Sequence, residues 1–520
     1  MQDYLKRLLR TSTAYQASDI LAKLIAVGTL PVYTRYLKPP AYGAAETLLT
    51  GVILVSIFVR LGVGEAFVRF YYDDVDPARR VRLSRLTVTV VLAITTVVAL
   101  AGAALAGPLS RLALGFRDPI LFQITMLGLW AFTNLEIAYA MLRVDERARA
   151  YLTTSVINVL LTVGLTVFLV VGRHEGARGL LAGNFVGSTV VLVGLWVALR
   201  ERAGLRWKLS ELPALLRFGL PTVPADASVY ALNVIDRAYL YRGHSHASAG
   251  LYALAVKVAT VVTLAVRGFQ YAWPPLAYSV TDDEQAARLY ARVATYYVLV
   301  TGFVVVGVTL LGRWALRLLA APQFHGAYAA LPWLALSWAL YGLYIVLVVV
   351  AGRARITSRN FPAALAGLVV NVVLLVLLVP PLGISGAGIA VCGAYVVMLA
   401  TLHLLTRRVF AVSFEWGRLI QLATVLAGAA VGGELALPSS GAVGLLLRLV
   451  VLAAVPAALV ALRFFSAEEV AQVRGLVAVA VGRGGVAPPT PQADSLVPQD
   501  PGPGPGAGVA PEDPGVRERL

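Results

Sequence analysis

Long apolar runs separated by short polar connections recur along nearly the whole chain. Many of these runs reach the roughly 20 residues that an α-helix needs to cross a bilayer. The pattern therefore predicts an all-α polytopic membrane protein with about fourteen transmembrane helices. The predicted segments are 11–33, 41–68, 86–106, 118–142, 151–172, 179–199, 213–241, 248–277, 289–312, 327–351, 360–380, 385–406, 418–436 and 441–463.

Composition agrees with this prediction and narrows the chemistry. Of the 520 residues, 58% are hydrophobic and 14% are charged, which is too apolar for a soluble globular protein. The single Cys392 excludes a disulfide framework and a Cys-based metal site. No connection between segments is long enough for a catalytic domain, so the sequence predicts no enzyme. The histidines are too scattered to predict a metal site; they are His174, His244, His246, His325 and His403.

Lys and Arg are concentrated in the connections on the same side of the membrane as the N-terminus. This asymmetry predicts that both termini are cytoplasmic. The formal net charge of +16 is then mainly an orientation signal, with attraction to anionic membrane lipids as a consequence. Nucleic-acid binding is not predicted, because no basic soluble domain is present.

An internal repeat relates the two halves of the chain. Gly43 corresponds to Gly250 and Arg60 to Arg267, and both pairs are separated by 207 positions. Six helices form each repeat, and because six is even, both repeats cross the membrane in the same direction. Parallel repeats related by an axis along the membrane normal are predicted, with substrate bound in a central cleft between them.

The repeat and the composition together predict the domain organisation. Pro221 and Pro224 predict a bend near the start of the seventh helix. The predicted parts are a first six-helix bundle at 1–206, a second at 207–410, an extra helix pair at 411–465, an amphipathic surface helix at 466–484, and a disordered Pro/Gly-rich cytoplasmic tail at 485–520.

Four cations lie within or beside the apolar segments. Arg60 and Arg267 are predicted to face each other across the cleft, about 13 Å from the cytoplasmic ends of their helices. Arg offers bidentate donors and does not deprotonate, so this pair could receive a phosphate or pyrophosphate. Lys23 and Lys257 add to the cationic inventory. The alternative is that each Arg extends to the lipid headgroups or pairs within its own half.

Three carboxylates are candidates for coupling transport to an ion gradient. Asp19 can pair with Lys23 one turn later, whereas Asp226, 207 positions after Asp19, has no such neighbour. Glu46 lies about 40° from Arg60 around its helix, at 100° per residue. Glu46 and Asp226 are therefore predicted to bind a driving H⁺ or Na⁺. A structural contact with another helix is the alternative for both.

Two stretches of sequence resemble a known family. The N-terminal "SDILAKLIAVGTLPVYTRYLKPPAYG" and "GVGEAFVRFYY" at 62–72 resemble the polysaccharide-transporter branch of the multidrug, oligosaccharidyl-lipid and polysaccharide exporter superfamily. The resemblance implies a bacterial inner-membrane flippase that moves undecaprenyl-pyrophosphate-linked oligosaccharide by alternating access, for O-antigen, capsule or exopolysaccharide synthesis. It also implies a cationic cavity, here Arg60, Arg267, Lys23 and Lys257, and a glycan polymerase and glycosyltransferases as partners.

Other functions remain open at this point. Fourteen helices also resemble the lipid II flippases of the superfamily, and a cation-coupled multidrug antiporter would have the same fold. A membrane-embedded glycan polymerase or ligase is a further alternative, which would need a catalytic carboxylate or His constellation on a sizeable loop. No cofactor is predicted other than the coupling ion.

Overall fold

The computed structural model describes residues 20–72, 76–205, 210–232, 234–280, 282–354, 356 and 359–465. Within these ranges every regular element is a helix. By length and composition, eleven helices could cross a membrane, and a twelfth span results if the bent pair His246–Ala259 and Val261–Arg267 counts as one. The chain is therefore a multi-pass, all-helical membrane protein.

The helices are numbered α1 to α20 in chain order. Their bounds are α1 20–28, α2 Leu30–Tyr36, α3 Pro39–Val59, α4 Val63–Tyr71, α5 Pro77–Ala104, α6 Ala106–Leu114, α7 Pro119–Val144, α8 Ala148–Val167 with a π-helical extension Phe168–Gly172, α9 Gly176–Ala198, α10 Leu212–Gly219, α11 Val223–Leu232, α12 Ile235–Gly243, α13 His246–Ala259, α14 Val261–Ser279, α15 Asp283–Leu319, α16 Leu331–Arg353, α17 Asn360–Leu382, α18 Ile384–Thr406, α19 Trp416–Ala436 and α20 Gly441–Ala461.

Two of the fourteen predicted segments, the first and the seventh, contain no helix or bent helix pair long and apolar enough to cross a membrane within the described residues. The first, 11–33, begins outside the described residues, and its described part is divided between α1 and α2. The seventh, 213–241, is divided among α10, a 3-10 turn, α11 and α12. Pro221 lies in the 3-10 turn and Pro224 at the start of α11, where a missing backbone donor interrupts regular α-helix. The interruption predicted from these prolines is present.

The second predicted segment, 41–68, is also interrupted. α3 ends one residue before Arg60, and Leu61 and Gly62 have φ angles of 52° and 68° before α4 begins. Gly62 packs closely on Gly219 at the end of α10, since an ideal Cβ on Gly62 would lie 2.0 Å from the Gly219 oxygen. Arg60 therefore lies at the end of α3, and the sequence prediction that placed it about 13 Å from the end of a continuous helix was wrong.

The two predicted halves share packing at one end of the bundle. We call the end where α3 begins the outer end, and the opposite end the inner end, after the predicted orientation. Around the outer end both halves contribute to one hydrophobic core, which contains Tyr42 and Tyr252. Near the inner end each half has its own core, one around Phe67 and one around Trp273. The outer end is thus the main junction between the halves.

A glycine contact brings α3 and α13 together at the outer end. An ideal Cβ on Gly43 would lie 2.5 Å from the His246 carbonyl oxygen and 2.7 Å from the Gly250 nitrogen. The two backbones therefore touch. Gly250 is also the repeat counterpart of Gly43, and such counterparts meet where an axis relates two parallel repeats.

The chain divides into two compact units, Met1–Ala458 and Leu459–Leu520. Two helices, α19 and α20, lie within 411–465, the range for which an extra helix pair is predicted. The division of the first unit into bundles at residue 206 stays a prediction. The predicted surface helix at 466–484 and the tail at 485–520 lie outside the described residues.

Candidate functional site

A buried ionic cluster lies between the halves near the outer end. Glu46 on α3 is 3% exposed, and its Oε1 accepts a hydrogen bond from Nζ of Lys257 on α13. Its Oε2 lies 3.9 Å from Nη1 of Arg237 on α12. The Lys257 Nζ is 5.3 Å from the centre of the Tyr42 ring, a cation–π distance. Besides Tyr42 on its own helix, Glu46 therefore faces two cations from the other half.

Asp236, next to Arg237 on α12, has a separate set of partners. Tyr252 Oη donates to Asp236 Oδ2 at 2.5 Å, and Asn371 Nδ2 lies 3.3 Å from Asp236 Oδ1. The same amide nitrogen is 3.2 Å from the Leu232 carbonyl oxygen at the end of α11. This buried carboxylate is therefore held by neutral donors from α13 and α17.

Sequence reasoning missed Asp236 and Arg237. Both lie within the seventh predicted segment, 213–241, and ionisable residues inside a membrane span are uncommon and often functional. The Asp–Arg pair was therefore a usable signal. What the sequence could not show is that Arg237 lies beside Glu46, which is 191 positions earlier.

Arg60 lies with acidic neighbours at the inner end. Its Nη1 is 3.9 Å from Glu65 Oε1, its side chain is 18% exposed, and its Nε is buried without a hydrogen-bond partner. Asp226, exposed on α11, is within electrostatic reach of both Arg60 and Glu65. The structure thus brings together one predicted substrate cation and one predicted coupling carboxylate.

Arg267 has a different environment from its repeat counterpart. It is half-buried within α14, seven positions after the break that separates α13 from α14 at Thr260. Tyr341 on α16 is within electrostatic reach. Arg60 lies at a helix end instead, so the two repeats differ in backbone conformation at these positions. A shared site for Arg60 and Arg267 stays a prediction.

Lys23 lines a lateral cleft rather than the Glu46 cluster. The cleft has a volume of about 580 Å³ and lies between α1, α13, α14 and α15. Its other lining residues are mostly apolar, including Val261 and Phe303. Asp19, the predicted partner of Lys23, lies outside the described residues.

A small polar cavity adjoins the Glu46 cluster. It has a volume of about 180 Å³ and lies between α1, α3, α8 and α9, with Lys257 of α13 at its edge. Its polar lining consists of Thr29, Tyr33, Glu46, Thr162, Thr166, Asn184 and Lys257.

A larger apolar groove runs between α15, α16 and α19. Its volume is about 600 Å³, and Glu434 is its one charged lining residue in the described chain. Glu434 pairs with Arg313 of α15 at 2.9 Å and with Arg448 of α20. The guanidinium of Arg448 is fully buried and also donates to the carbonyl oxygen of Leu310 at 3.1 Å. These contacts hold the extra helix pair against α15.

The short helix α4 is anchored at the inner end by a polar contact. Tyr71 Oη donates to Asp145 Oδ1 at 2.6 Å, and Arg202 pairs with the same carboxylate. Burial, followed by the hydrogen bond to Asp145, raises the pKa of Tyr71. The contact fixes the direction in which the chain continues after Arg60.

The described residues contain no group of three or more His, Cys, Asp or Glu side chains able to hold a metal ion. The buried carboxylates Glu46 and Asp236 each lie beside cations or neutral donors. The chemistry that the arrangement supports is therefore the binding of anions by Arg and Lys and the binding of a monovalent cation or proton by these carboxylates.

Comparison with known proteins gives consistent results. The family described as "Polysaccharide biosynthesis protein" matches residues 8–277. A protein of the Lsg locus of Haemophilus influenzae is 23% identical over 292 residues, which cover 54% of this chain and 68% of that protein. The succinoglycan biosynthesis transport protein ExoT of Rhizobium meliloti is 25% identical over 335 residues. That match covers 62% of this chain and 64% of ExoT, slightly less than two thirds of its length.

Among solved structures, the fold is similar to that of the lipid II flippase MurJ in an inward closed conformation. The TM-score is 0.70 at 14% sequence identity, and the match covers 86% of this chain and 97% of MurJ. At this identity the similarity establishes a shared fold. It supports the fold that the sequence resemblance implied.

Proposed function

The chain belongs to the polysaccharide biosynthesis protein family, and we propose that it is a flippase for undecaprenyl-pyrophosphate-linked oligosaccharide. It would move this lipid from the cytoplasmic to the outer leaflet of a bacterial cytoplasmic membrane by alternating access, with both chain termini in the cytoplasm. The product would be used in O-antigen, capsule or exopolysaccharide synthesis, with a glycan polymerase and glycosyltransferases as partners.

The family match over residues 8–277 is the observation that carries this proposal. The matched region contains all four candidate substrate cations, which are Lys23, Arg60, Lys257 and Arg267. Placing a cation in a membrane-spanning segment costs free energy, and such a residue usually interacts with a ligand or with a partner group. A lipid-linked pyrophosphate is a ligand that needs such cations, because its head must cross the hydrocarbon region while its tail can remain there.

Two apolar surfaces suit the lipid tail. The lateral cleft between α1 and α13 to α15 combines an apolar lining with Lys23, and so offers both a hydrocarbon surface and a cation. The apolar groove between α15, α16 and α19 is the second surface that suits the lipid tail. We assign the tail to these surfaces and the pyrophosphate to the cations that face the interior.

The lipid II flippase and the multidrug antiporter remain the alternatives of the same fold. The MurJ similarity supports the fold alone. The family match favours polysaccharide precursors over lipid II, and the cationic residues favour an anionic substrate over a cationic drug. A transporter moves its substrate without chemical change, so the proposed function includes no polymerase or ligase activity.

We expect Arg60→Ala to lower export of lipid-linked glycan by about tenfold, because a half-buried cation that pairs with the substrate would be lost. Arg60→Lys keeps the charge without the planar fork, so it should restore only part of the loss. Arg267→Ala should behave similarly. The measurement is export in a strain that lacks its own flippase, with membrane levels of each variant equalised.

Arg288→Ala is the matched control for this experiment. Arg288 forms an exposed pair with Glu284 one turn earlier, and its loss should leave export unchanged. If Arg60 and Arg267 hold one pyrophosphate, the double variant should lose less than the sum of the two single losses. Export by both single Ala variants at the unmodified rate would show that these arginines are membrane anchors.

Gradient coupling is assigned to one of three described carboxylates, which are the predicted Glu46 and Asp226 and the newly located Asp236. Asp236→Asn or Asp226→Asn should retain binding of the lipid-linked sugar while losing the dependence of transport on a H⁺ or Na⁺ gradient. Transport into proteoliposomes under each imposed gradient distinguishes the two ions. Full gradient dependence in both variants would exclude Asp226 and Asp236 from coupling.

A further inference from the structure

We propose that Lys257 and Arg237 form a binding site for the substrate pyrophosphate, and that the Glu46 carboxylate occupies this site as an internal counter-ion when substrate is absent. The identity of the anion rests on the proposed function. The occupied site itself rests on the contacts of the buried cluster.

The arrangement of charge is that of two cations converging on one carboxylate. Each Glu46 oxygen faces a different cation, Lys257 on one side and Arg237 on the other, and both cations belong to the other half of the chain. A carboxylate that bridges two cations from a facing surface occupies the place that a bound oxyanion would take. Pyrophosphate carries more charge and more acceptor oxygens than a carboxylate, so it matches the two cations better.

An unpaired donor on Arg237 indicates that the carboxylate satisfies the site only in part. Arg237 is about nine-tenths buried, yet its Nε has no hydrogen-bond partner, and its contact with Glu46 is a long 3.9 Å. Buried donors are normally satisfied, so the unpaired Arg237 Nε and its long contact with Glu46 indicate room for a ligand with additional acceptors.

The adjoining polar cavity provides a second place for the displaced carboxylate. Glu46 lines this cavity of about 180 Å³, together with the Asn184 amide and the hydroxyls of Thr162 and Thr166. A space of this size is large enough to hold water, since one water molecule needs only about 10–15 Å³ of such volume. The two hydroxyls donate to the carbonyl oxygens of Val159 and Leu180. A rotation of the Glu46 side chain away from Arg237 would therefore place it beside the Asn184 amide and water.

Displacement of Glu46 would also loosen the junction between the halves. Glu46 is three positions after Gly43, where α3 and α13 touch at the outer end. The ion pairs of Glu46 with Lys257 and Arg237 connect the halves only while the carboxylate lies between these two cations. Binding of the substrate anion would then exchange an interaction between the halves for an interaction with substrate, and so favour opening of the outer end.

The test is binding of inorganic pyrophosphate and of farnesyl pyrophosphate to the purified full chain in phosphatidylcholine nanodiscs. Glu46→Gln should bind both probes about tenfold more tightly, because the competing charge is gone. Arg237→Gln and Lys257→Gln should each bind about tenfold more weakly. Glu415→Gln, which removes a carboxylate that pairs with Arg418, is the control and should leave binding unchanged.

Weaker or unchanged binding by Glu46→Gln would overturn the proposal. If Glu46→Gln does not fold, Glu46→Asp replaces it in the test. The Asp side chain keeps the charge but is too short to reach both cations, so this variant should also bind the probes more tightly than the unmodified protein. Binding that is no tighter would likewise overturn the proposal. Nanodiscs containing phosphatidylglycerol show whether an ordinary lipid phosphate competes. If the variants show this binding pattern but the unmodified protein does not export lipid-linked glycan, only the proposed substrate is contradicted. If the unmodified protein exports the glycan but the variants do not show the binding pattern, only the role of Glu46 is contradicted.

Discussion

Gly43→Ala should reduce export by roughly one to two orders of magnitude. The added methyl would lie 2.5 Å from the His246 carbonyl oxygen and 2.7 Å from the Gly250 nitrogen, and backbone atoms cannot move aside as a flexible side chain can. Overpacking of this kind typically costs about 1–3 kcal/mol, which shifts a two-state equilibrium roughly 5- to 150-fold. The state in which the outer end is closed would become rare, and a transport cycle that passes through it would slow.

Gly51→Ala is the matched control, because Gly51 lies on the same helix and an added Cβ meets nothing within 4 Å. Both substitutions raise helix propensity equally, so the difference between them isolates the contact with α13. Export in the flippase-deficient strain gives the rate, and labelling of a cysteine placed near the outer end reports its opening. Equal export by the two variants would mean that closure does not depend on the glycine contact.

Glu434→Gln should destabilise the protein by about 3–5 kcal/mol, since it leaves the fully buried Arg448 without its counter-charge. The loss should appear as a lower midpoint of thermal unfolding in detergent. Replacing both partners, as in Glu434→Leu with Arg448→Met, should cost less than Glu434→Gln alone, because the fully buried charge is removed and only the partly exposed Arg313 loses its counter-charge.

Arg418→Gln provides the comparison for that measurement. Arg418 and Glu415 form a partly exposed pair one helical turn apart, and losing one member of such a pair costs at most about 1 kcal/mol. An equal effect of Glu434→Gln and Arg418→Gln would show that the pairing of Arg448 contributes little to stability.

Much of the architecture follows from patterns that are local in sequence. Apolar runs of membrane length predict the long helices, and Pro221 and Pro224 predict the interruption before α11, because each feature acts within a few residues of itself. The repeat offset of 207 positions also identified Gly43 and Gly250 as counterparts, and the structure places them in contact.

The break after α3 could not be predicted in the same way. Leu61 and Gly62 take left-handed backbone conformations where Gly62 packs on Gly219, which is distant in sequence. An apolar run shows neither the turn nor its partner. The depth assigned to Arg60 failed for this reason, because it assumed that the helix continued.

The candidate site shows the same limit. Glu46 and Lys257 were each identified as charges in apolar surroundings, but their pairing joins positions 211 apart and depends on which helix faces meet. Arg237 was missed although the sequence places it beside Asp236 inside a predicted span. Charge in a membrane segment marks candidates, whereas only packing decides which of them act together.

The contacts of Arg448 bear on how the chain enters the bilayer during synthesis. Besides Glu434 on α19, its guanidinium contacts the carbonyl oxygens of Leu437 and Pro438 in the connection between α19 and α20. Most of its counter-charge and acceptors thus come from the preceding helix and turn. α20 alone would carry an unshielded arginine into the lipid, so α19 and α20 should leave the translocon together as a hairpin, before they dock on α15.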